Sequence, residues 1–286
     1  MRILVTGRSG QVVTALLERS ALVPGVEVIA LGRPDLDLED TASAGAAIAA
    51  VRPDVVVNAA AYTAVDKAEQ ESALAFAINR DGAAAAAAAA ARLGVAFIQL
   101  STDYVYPGDK MGAYVESDAT GPLGVYGQSK LAGEEAVKSA HPSPLILRTS
   151  WVYSPFGGNF VKTMLRLGKE RAVLNVVDDQ IGNPTSALDI ADAVLRIAPG
   201  LPGGGTFHLC GRGDVTWCGL ARETFALSKS LGGPCAEVKP ITTAEYPTPA
   251  RRPANSRLSM DAFAARFGFR LRPWQEALAE TVSRLV

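Results

Sequence analysis

Five short apolar runs, separated by helix-like segments, constrain the fold of this chain more than any other feature. The runs are almost continuously apolar, which is typical of strands that are covered on both faces. They are Arg2–Thr6, Val26–Leu31, Val55–Asn58, Ala96–Ser101 and Leu145–Thr149. The helix-like segments between them are Gln11–Ala21, Ala42–Val51, Glu69–Leu93 and Val125–Ala140. This alternation predicts an α/β protein with a Rossmann-like, doubly wound parallel sheet.

The composition narrows the class of protein further. The 286 residues are 48% hydrophobic, and the formal net charge of −1 provides no basic surface for nucleic acid or an anionic membrane. Three cysteines without C-x-x-C spacing argue against a disulfide framework or a zinc site. No run approaches the roughly 18 apolar residues of a membrane helix, and no signal-like leader precedes the first strand. We therefore expect a cytoplasmic protein with neither a nucleic-acid nor a membrane partner.

A glycine-containing turn connects the first strand to the first helix. Gly7 and Gly10 permit a tight turn and the close approach of a pyrophosphate to backbone N–H groups at a helix N-terminus. Because the turn opens a βαβ series, a dinucleotide site is favoured over an ordinary strand–helix connection. The third glycine of the pattern is Val13 here. Its β-branched side chain would push the helix slightly outward and loosen cofactor binding.

The second strand ends without an acidic residue. An acid there would select the ribose hydroxyls of NAD, whereas an arginine accommodates the 2′-phosphate of NADP. Arg33 follows Gly32 directly, so NADPH is favoured over NADH, although Arg33 could instead be a solvated loop residue. Asp37 and Leu38 are placed to reach the adenine. The small residues after the third strand, including Ala61, leave room for the nicotinamide ribose.

A Tyr-x-x-x-Lys pair, Tyr126 and Lys130, lies about midway along the chain within a predicted helix. Four residues is just over one helical turn, so the phenol and the ammonium project from the same face. We predict that the charge of Lys130 lowers the pKa of the Tyr126 phenol toward the working range. Thr102, at the end of the fourth strand, can donate a hydrogen bond to a carbonyl oxygen. The presence of Thr102 and of the dinucleotide turn favours a catalytic role for Tyr126 and Lys130 over an ordinary pair of surface side chains.

Residues 151–286 have a looser pattern than the first 150 residues. Glycine and proline cluster at Pro155–Gly158, Pro199–Gly205 and Tyr246–Pro253, with helical segments between the clusters. We predict an NAD(P)-binding domain over residues 1–150 and a smaller, mainly substrate-binding lobe over residues 151–286. Part of the second lobe is expected to cross back to the first domain.

Eight segments spread over the chain carry a resemblance to a known family. They are TGRSGQV, RPDVVVNAAAYTAVDKAE, STDYVYPG, YGQSKLAGE, LRTSWVY, NFVKTMLRL, DDQIGNPT and AEYPTPARRPANSRL. With them the chain resembles the extended short-chain dehydrogenases/reductases and, among these, the dTDP-4-dehydrorhamnose reductase family. The resemblance implies a Rossmann domain with a small sugar-nucleotide lobe. It also implies the NAD(P)H-dependent reduction of the C4 ketone of dTDP-4-dehydro-L-rhamnose to dTDP-L-rhamnose.

The family's functional residues have matching positions in this sequence. Its catalytic trio matches Thr102, Tyr126 and Lys130. Its cofactor contacts match Gly10, Gln11, Val12, Asp37, Leu38, Ala61, Tyr62 and Thr63, together with Tyr126 and Lys130. Its sugar-nucleotide contacts match Thr102, Asp103 and Trp151. An aromatic residue at position 151 can line a sugar pocket or fill the core, so both interpretations stay open.

The resemblance also raises the question of a metal. Some members of the family are described as magnesium-linked dimers that use glutamates, one of them on the first helix. This chain has Thr14 and Ala15 there. Magnesium is therefore not supported by this sequence, and we expect either a monomer or a homodimer.

Two alternative functions remain compatible with the sequence. One is another nucleotide-sugar enzyme on the same scaffold, either a 4-ketoreductase of different stereochemistry or an epimerase. The other is a non-catalytic regulatory subunit that keeps the fold and the nucleotide pocket. The presence of Thr102, Tyr126 and Lys130 together argues against a regulatory subunit.

Overall fold

The computed structural model describes residues 1–201 and 203–286. In chain order the strands of these residues are β1 (Arg2–Thr6), β2 (Glu27–Leu31), β3 (Val55–Asn58), β4 (Ala96–Thr102), β5 (Leu145–Thr149), β6 (Val152–Tyr153), β7 (Val173–Val177), β8 (Ile181–Gly182), β9 (Thr185–Ser186), β10 (Gly205–His208), β11 (Val215–Thr216) and β12 (Glu237–Ile241). The α-helices are α1 (Gln11–Ser20), α2 (Thr41–Val51), α3 (Val65–Ala68), α4 (Ser72–Phe76), α5 (Ala83–Leu93), α6 (Val125–Ala140), α7 (Phe160–Glu170), α8 (Ala187–Ile197), α9 (Trp217–Ser230), α10 (Asp261–Phe267) and α11 (Trp274–Ser283). None of the helices in this described part of the chain has the length and apolar character needed to span a membrane.

Six strands form the central sheet in the order β2-β1-β3-β4-β5-β10, and every neighbouring pair is parallel. The five strands predicted from the sequence are confirmed, and β10 adds a sixth from far along the chain. The predicted α/β fold with a doubly wound parallel sheet is also confirmed. The strand order reverses between β1 and β3. In open α/β sheets such a reversal creates a crevice at the carboxyl ends of the strands, where ligands bind.

Both faces of the sheet are buried under helices, as the apolar runs predict. Ile3 and Val5 of β1 belong to one core cluster with residues of α1 and α8. Leu4, between them, belongs to another cluster with residues of α2 and α5. All three side chains are fully buried, because successive residues of a strand face opposite sides. The alanine-rich α5 packs through its small side chains against α2 and α6.

The segment predicted as one helix over Glu69–Leu93 is interrupted, which corrects that prediction. Between α4 and α5 lies a π-helical turn, Ala77–Gly82. A Cβ added at Gly133 of α6 would lie 2.0 Å from the carbonyl oxygen of Asn79 in this turn. The two backbones are therefore in direct contact, and only glycine permits it. Such π-helical turns are rare and are frequently found at functional sites.

A smaller core forms from residues that follow position 150. Side chains from α7, α9 and α11 pack around Tyr153, and the parallel pair β7–β12 lies beside α9. Two later elements instead join the first part of the chain: β10 pairs with β5, and α8 packs against α1. The assignment of residues 1–150 to the cofactor and of residues 151–286 mainly to the substrate stays a prediction.

Candidate active site

A cleft of about 1020 Å³ opens at the carboxyl ends of the central strands. It is at the upper end of the roughly 300–1,000 Å³ that is typical of ligand clefts. The structure brings nearly all of the predicted site residues together here. Those that line the cleft are Gly7, Gly10, Gln11, Val12, Arg33, Asp37, Leu38, Ala61, Thr63, Thr102, Asp103, Tyr126, Lys130 and Trp151. Tyr62 is the predicted residue that does not line it.

The turn after β1 has the geometry expected of a pyrophosphate site. Gly7 has φ +107°, which L side chains rarely adopt, and its N–H donates to the carbonyl oxygen of Leu31 at 2.6 Å. Val13 is buried, and its Cγ2 would lie 3.1 Å from a Cβ added at Gly7. The valine thus fills the space left by Gly7. The predicted effect of Val13 on cofactor affinity stays a prediction.

The adenosine end of the cleft contains two arginines. Arg33 is exposed at the rim. Arg8 of the glycine turn, which was not among the predicted site residues, also lines the cleft and forms an ion pair with Asp35. Arg33 therefore places at this end a positive charge that suits a 2′-phosphate.

Asn79 of the π-helical turn fixes the loop after β3. Its side chain accepts a hydrogen bond from the Tyr62 N–H at 2.8 Å and donates to the Tyr62 carbonyl oxygen at 3.1 Å. It also donates to the Ser129 hydroxyl on α6 at 2.9 Å. The Tyr62 hydroxyl donates to Glu71 at 2.6 Å. Asn79 therefore connects the loop at the predicted nicotinamide site to the helix that carries the Tyr-x-x-x-Lys pair.

The first two turns of α6 place Tyr126 and Lys130 in the cleft. A Cβ added at Gly127 would lie 2.3 Å from the carbonyl oxygen of Tyr104, so this glycine allows α6 to approach the end of β4. The Lys130 ammonium is buried and donates to the carbonyl oxygen of Leu100 at 2.7 Å. Burial lowers the pKa of Lys130 to about 8, although the nearby Glu134 carboxylate opposes this change.

The predicted lowering of the Tyr126 pKa is wrong for the ligand-free protein. Burial raises the pKa of the Tyr126 phenol to about 12, and the neighbouring Thr102 hydroxyl opposes this rise without reversing it. The charge of Asp103 acts in the same direction as burial. Tyr126 is therefore a protonated phenol at neutral pH, which is the form that donates a proton.

A buried ion pair lies beneath this end of the cleft. Arg148 of β5 donates to both carboxylate oxygens of Glu134, at 2.9 and 2.6 Å. Ser101 of β4 donates to the same carboxylate at 2.5 Å, and Arg148 also donates to the Tyr106 hydroxyl at 2.7 Å. Removing one partner of such a pair would leave an uncompensated buried charge. The network fixes α6 to β4 and β5, one turn away from Lys130.

Two stacked tryptophans form the opposite wall of the cleft. Trp151 has φ +46°, a strained conformation for a bulky residue, and such strain clusters at ligand sites. Its ring stacks on Trp217 of α9 with 3.5 Å between ring centroids and 5° between ring planes. Its indole N–H donates to the Ser256 hydroxyl at 3.1 Å. Trp217 lines the cleft although no motif marks it. Ser256 lies in the segment AEYPTPARRPANSRL and holds the Trp151 ring from behind the cleft lining.

The polar floor of the cleft fits a bound ligand. The Thr102 hydroxyl donates to Asp103 Oδ1 at 2.9 Å, whereas Asp103 Oδ2 is buried and has no partner. Burial raises the pKa of Asp103 to about 7, although the neighbouring Ser256 and Thr102 hydroxyls oppose this rise. Buried polar atoms without a partner are rare in folded proteins, so this atom is consistent with an unfilled ligand contact. The glycine turn thus fits a dinucleotide, and Asp103 Oδ2 fits a polar second ligand.

No metal centre is evident in residues 1–201 and 203–286, where no group of three or more His, Cys, Asp or Glu side chains could hold an ion. Ala15 of α1 is fully buried. Glu280 of α11 accepts from Arg19 of α1 at 2.8 Å and also bonds Arg272. These residues do not fit a magnesium ion.

Comparisons with known proteins agree on one family. The family model described as the RmlD substrate binding domain matches residues 1–286. A dTDP-4-dehydrorhamnose reductase from Sinorhizobium fredii is 50% identical over 292 residues, which cover 100% of this chain and 98% of the relative. Another from Escherichia coli strain K12 is 42% identical over 295 residues, which cover 100% of this chain and 98% of the relative.

Solved structures give the same result. A dTDP-4-dehydrorhamnose reductase from Clostridium acetobutylicum has a TM-score of 0.94 at 39% identity, covering 100% of this chain and 99% of that chain. The enzyme of that name from Bacillus anthracis, solved in complex with NADP, has a TM-score of 0.92 at 34% identity, covering 98% of each chain. From its full-length match to the family model and from these relatives, the chain belongs to the RmlD family of dTDP-4-dehydrorhamnose reductases.

Proposed function

We propose that this protein is a cytoplasmic enzyme that reduces the C4 ketone of dTDP-4-dehydro-L-rhamnose with NADPH, giving dTDP-L-rhamnose. One observation carries the proposal. The side chains of Tyr126, Lys130 and Thr102 line the same cleft as the glycine turn after β1. A proton donor, a buried cation and a hydroxyl therefore lie in one space with a dinucleotide turn, as the reduction of a ketone requires.

Tyr126 would supply the proton in this reaction. When NADPH is bound, its nicotinamide supplies a hydride to the ketone carbon. As negative charge develops on the ketone oxygen, the phenol of Tyr126 donates its proton to that oxygen. The high pKa of the buried phenol keeps the proton in place until the alkoxide forms.

Lys130 and Thr102 would orient the reactants. The buried ammonium of Lys130 is held by the Leu100 carbonyl oxygen, which leaves its other N–H groups for the nicotinamide ribose. Its positive charge also stabilises negative charge that develops beside it. Thr102, which bonds Asp103 in the ligand-free protein, would turn its hydroxyl to the ketone oxygen.

The two ends of the cleft would select the two ligands. Arg33, with Arg8 beside it, would favour the 2′-phosphate of NADPH. On the other side, Trp151 would present the edge of its stacked ring to the sugar, and Asp103 Oδ2 would accept from a sugar hydroxyl.

Product identification tests this function. The purified protein is incubated with dTDP-4-dehydro-L-rhamnose and NADPH that is deuterated at the transferred position, and the sugar is identified by NMR. We expect NADPH consumption to match the formation of dTDP-L-rhamnose with deuterium at C4. The opposite configuration at C4, an epimerised sugar without net NADPH consumption, or no turnover at all would overturn the proposal.

A further inference from the structure

Two unpartnered polar atoms lie at the floor of the cleft. Among the described residues, the buried side-chain atoms without a hydrogen-bond partner are Arg19 Nε, Asp103 Oδ2, Thr149 Oγ1, Trp274 Nε1 and Thr281 Oγ1. Of these residues, Asp103 and Thr149 also line the cleft. Asp103 already has a place in the proposed sugar site. Thr149 has no part in the proposed proton transfer or in the binding of the sugar by Asp103.

Thr149 lies directly beside the proposed ketone site. It is the last residue of β5 and the register partner of Thr102 in the parallel ladder between β4 and β5. Neighbouring strands are about 4.8 Å apart, and register partners project to the same face of the sheet. A polar group that is bound at Thr102 is therefore within reach of the Thr149 side chain.

The Thr149 hydroxyl could turn toward a bound ligand by a side-chain rotation alone. The residue is 8% exposed and lines the cleft, and its Oγ1 is buried in the ligand-free protein. Rotation by about 120° about the Cα–Cβ bond moves the hydroxyl to another staggered position. Because the hydroxyl has no hydrogen-bond partner in the ligand-free protein, this rotation breaks no hydrogen bond.

We propose that the Thr149 hydroxyl binds ligand by donating a hydrogen bond to a carbonyl or hydroxyl oxygen at the reducing end of the cleft. Two groups present an oxygen of this kind there, namely the nicotinamide carboxamide and the sugar next to its ketone. The proposal rests on the proposed reductase function and adds a contact that neither the Tyr-x-x-x-Lys pair nor Thr102 provides.

Thr281 supplies a matched control. Its hydroxyl is also fully buried without a partner, but it lies on α11 and does not line the cleft. The test compares Thr149→Val and Thr281→Val, which each replace the hydroxyl by a methyl group, with Thr149→Ser, which keeps the hydroxyl. Replacing an unpartnered hydroxyl by a methyl group relieves a desolvation penalty. Both valine variants should therefore melt at or above the wild-type temperature without ligand.

Two binding measurements identify the ligand. One is the dissociation constant of NADPH without sugar, and the other is that of dTDP-L-rhamnose with NADP⁺ saturating. We expect Thr149→Val to weaken one of them by about 5- to 10-fold, the value of one ordinary hydrogen bond. Thr149→Ser and Thr281→Val should bind as the wild type does. Weaker NADPH binding identifies the carboxamide, and weaker sugar-nucleotide binding identifies the sugar.

Two results would overturn the proposal. One is unchanged affinity of Thr149→Val for both ligands. The other is a lower melting temperature for ligand-free Thr149→Val but not for Thr281→Val, which would show that the hydroxyl serves the fold. Because both measurements are of binding, they are separate from the turnover by the wild type that tests the reductase function.

Discussion

At the scale of single residues, we expect Lys130 to set a pH limit on cofactor binding. Its pKa is lowered to about 8 by burial, so the ammonium loses its charge above that pH. If the charged form bonds the nicotinamide ribose, the affinity for NADPH should fall as the pH rises through about 8. Dissociation constants measured on both sides of pH 8 test this. Lys130→Met should bind NADPH weakly without this pH dependence, and a constant wild-type affinity would contradict the assignment.

The lowered pKa of Lys130 has the opposite effect on folding stability, which it increases as the pH rises. An unfolded lysine keeps its proton up to its ordinary pKa of 10.5, whereas Lys130 in the folded protein releases it near 8. Between these values the unfolded chain binds more protons, so the contribution of Lys130 to stability increases with pH. Weaker cofactor binding in this range would therefore not result from acid–base unfolding at Lys130.

Motifs predicted the cleft residues that follow strands, but they did not predict the environment of those residues. The direction of the Tyr126 pKa shift was wrong because spacing reports the nearby charge and not the burial of the phenol. Asn79, Thr149 and Trp217 reach the site through the π-helical turn, the strand register and aromatic stacking respectively. The π-helical turn and the aromatic stacking have no local sequence signal. For Thr149 the sequence predicted the strand end but not the register that places it beside Thr102.

At the scale of elements, the contact between α6 and the π-helical turn requires glycine. A Cβ at Gly133 would lie 2.0 Å from the Asn79 carbonyl oxygen. We expect Gly133→Ala to lower the free energy of unfolding by about 1–3 kcal/mol, the usual cost of overpacking. Denaturant unfolding measures this. Gly112→Ala is the control, because a Cβ there meets nothing within 4 Å, and equal stability of the two variants would argue against the close contact.

The strands were more predictable than this helix. Continuous apolar runs identify strands that are buried on both faces, and all five were found within one residue of their predicted ends. The segment Glu69–Leu93 was predicted as one helix, and its alanine-rich part does form α5. The π-helical turn before it coincides with the tertiary contact at Gly133, which the local sequence does not encode.

At the scale of the whole molecule, the faces of α1, α8 and α11 lack a metal centre within the described residues. Arg19 lies between Asp192 and Glu280, so arginines neutralise the acids there. We expect the protein to have the same turnover rate in EDTA as in magnesium. Its molar mass, measured by size-exclusion chromatography with light scattering, should also be the same in both. A loss of mass or activity in EDTA that magnesium restores would contradict this prediction.

The central claim is that Tyr126 donates the proton for ketone reduction in this cleft. It is tested most directly by the rate of NADPH oxidation with dTDP-4-dehydro-L-rhamnose, compared between the wild type and Tyr126→Phe. The NADPH dissociation constant of each protein is measured to confirm an intact cofactor site. We predict a rate that is lower by roughly 10²–10⁴-fold in the variant, with NADPH binding largely retained. Reduction by Tyr126→Phe at the wild-type rate would contradict the account.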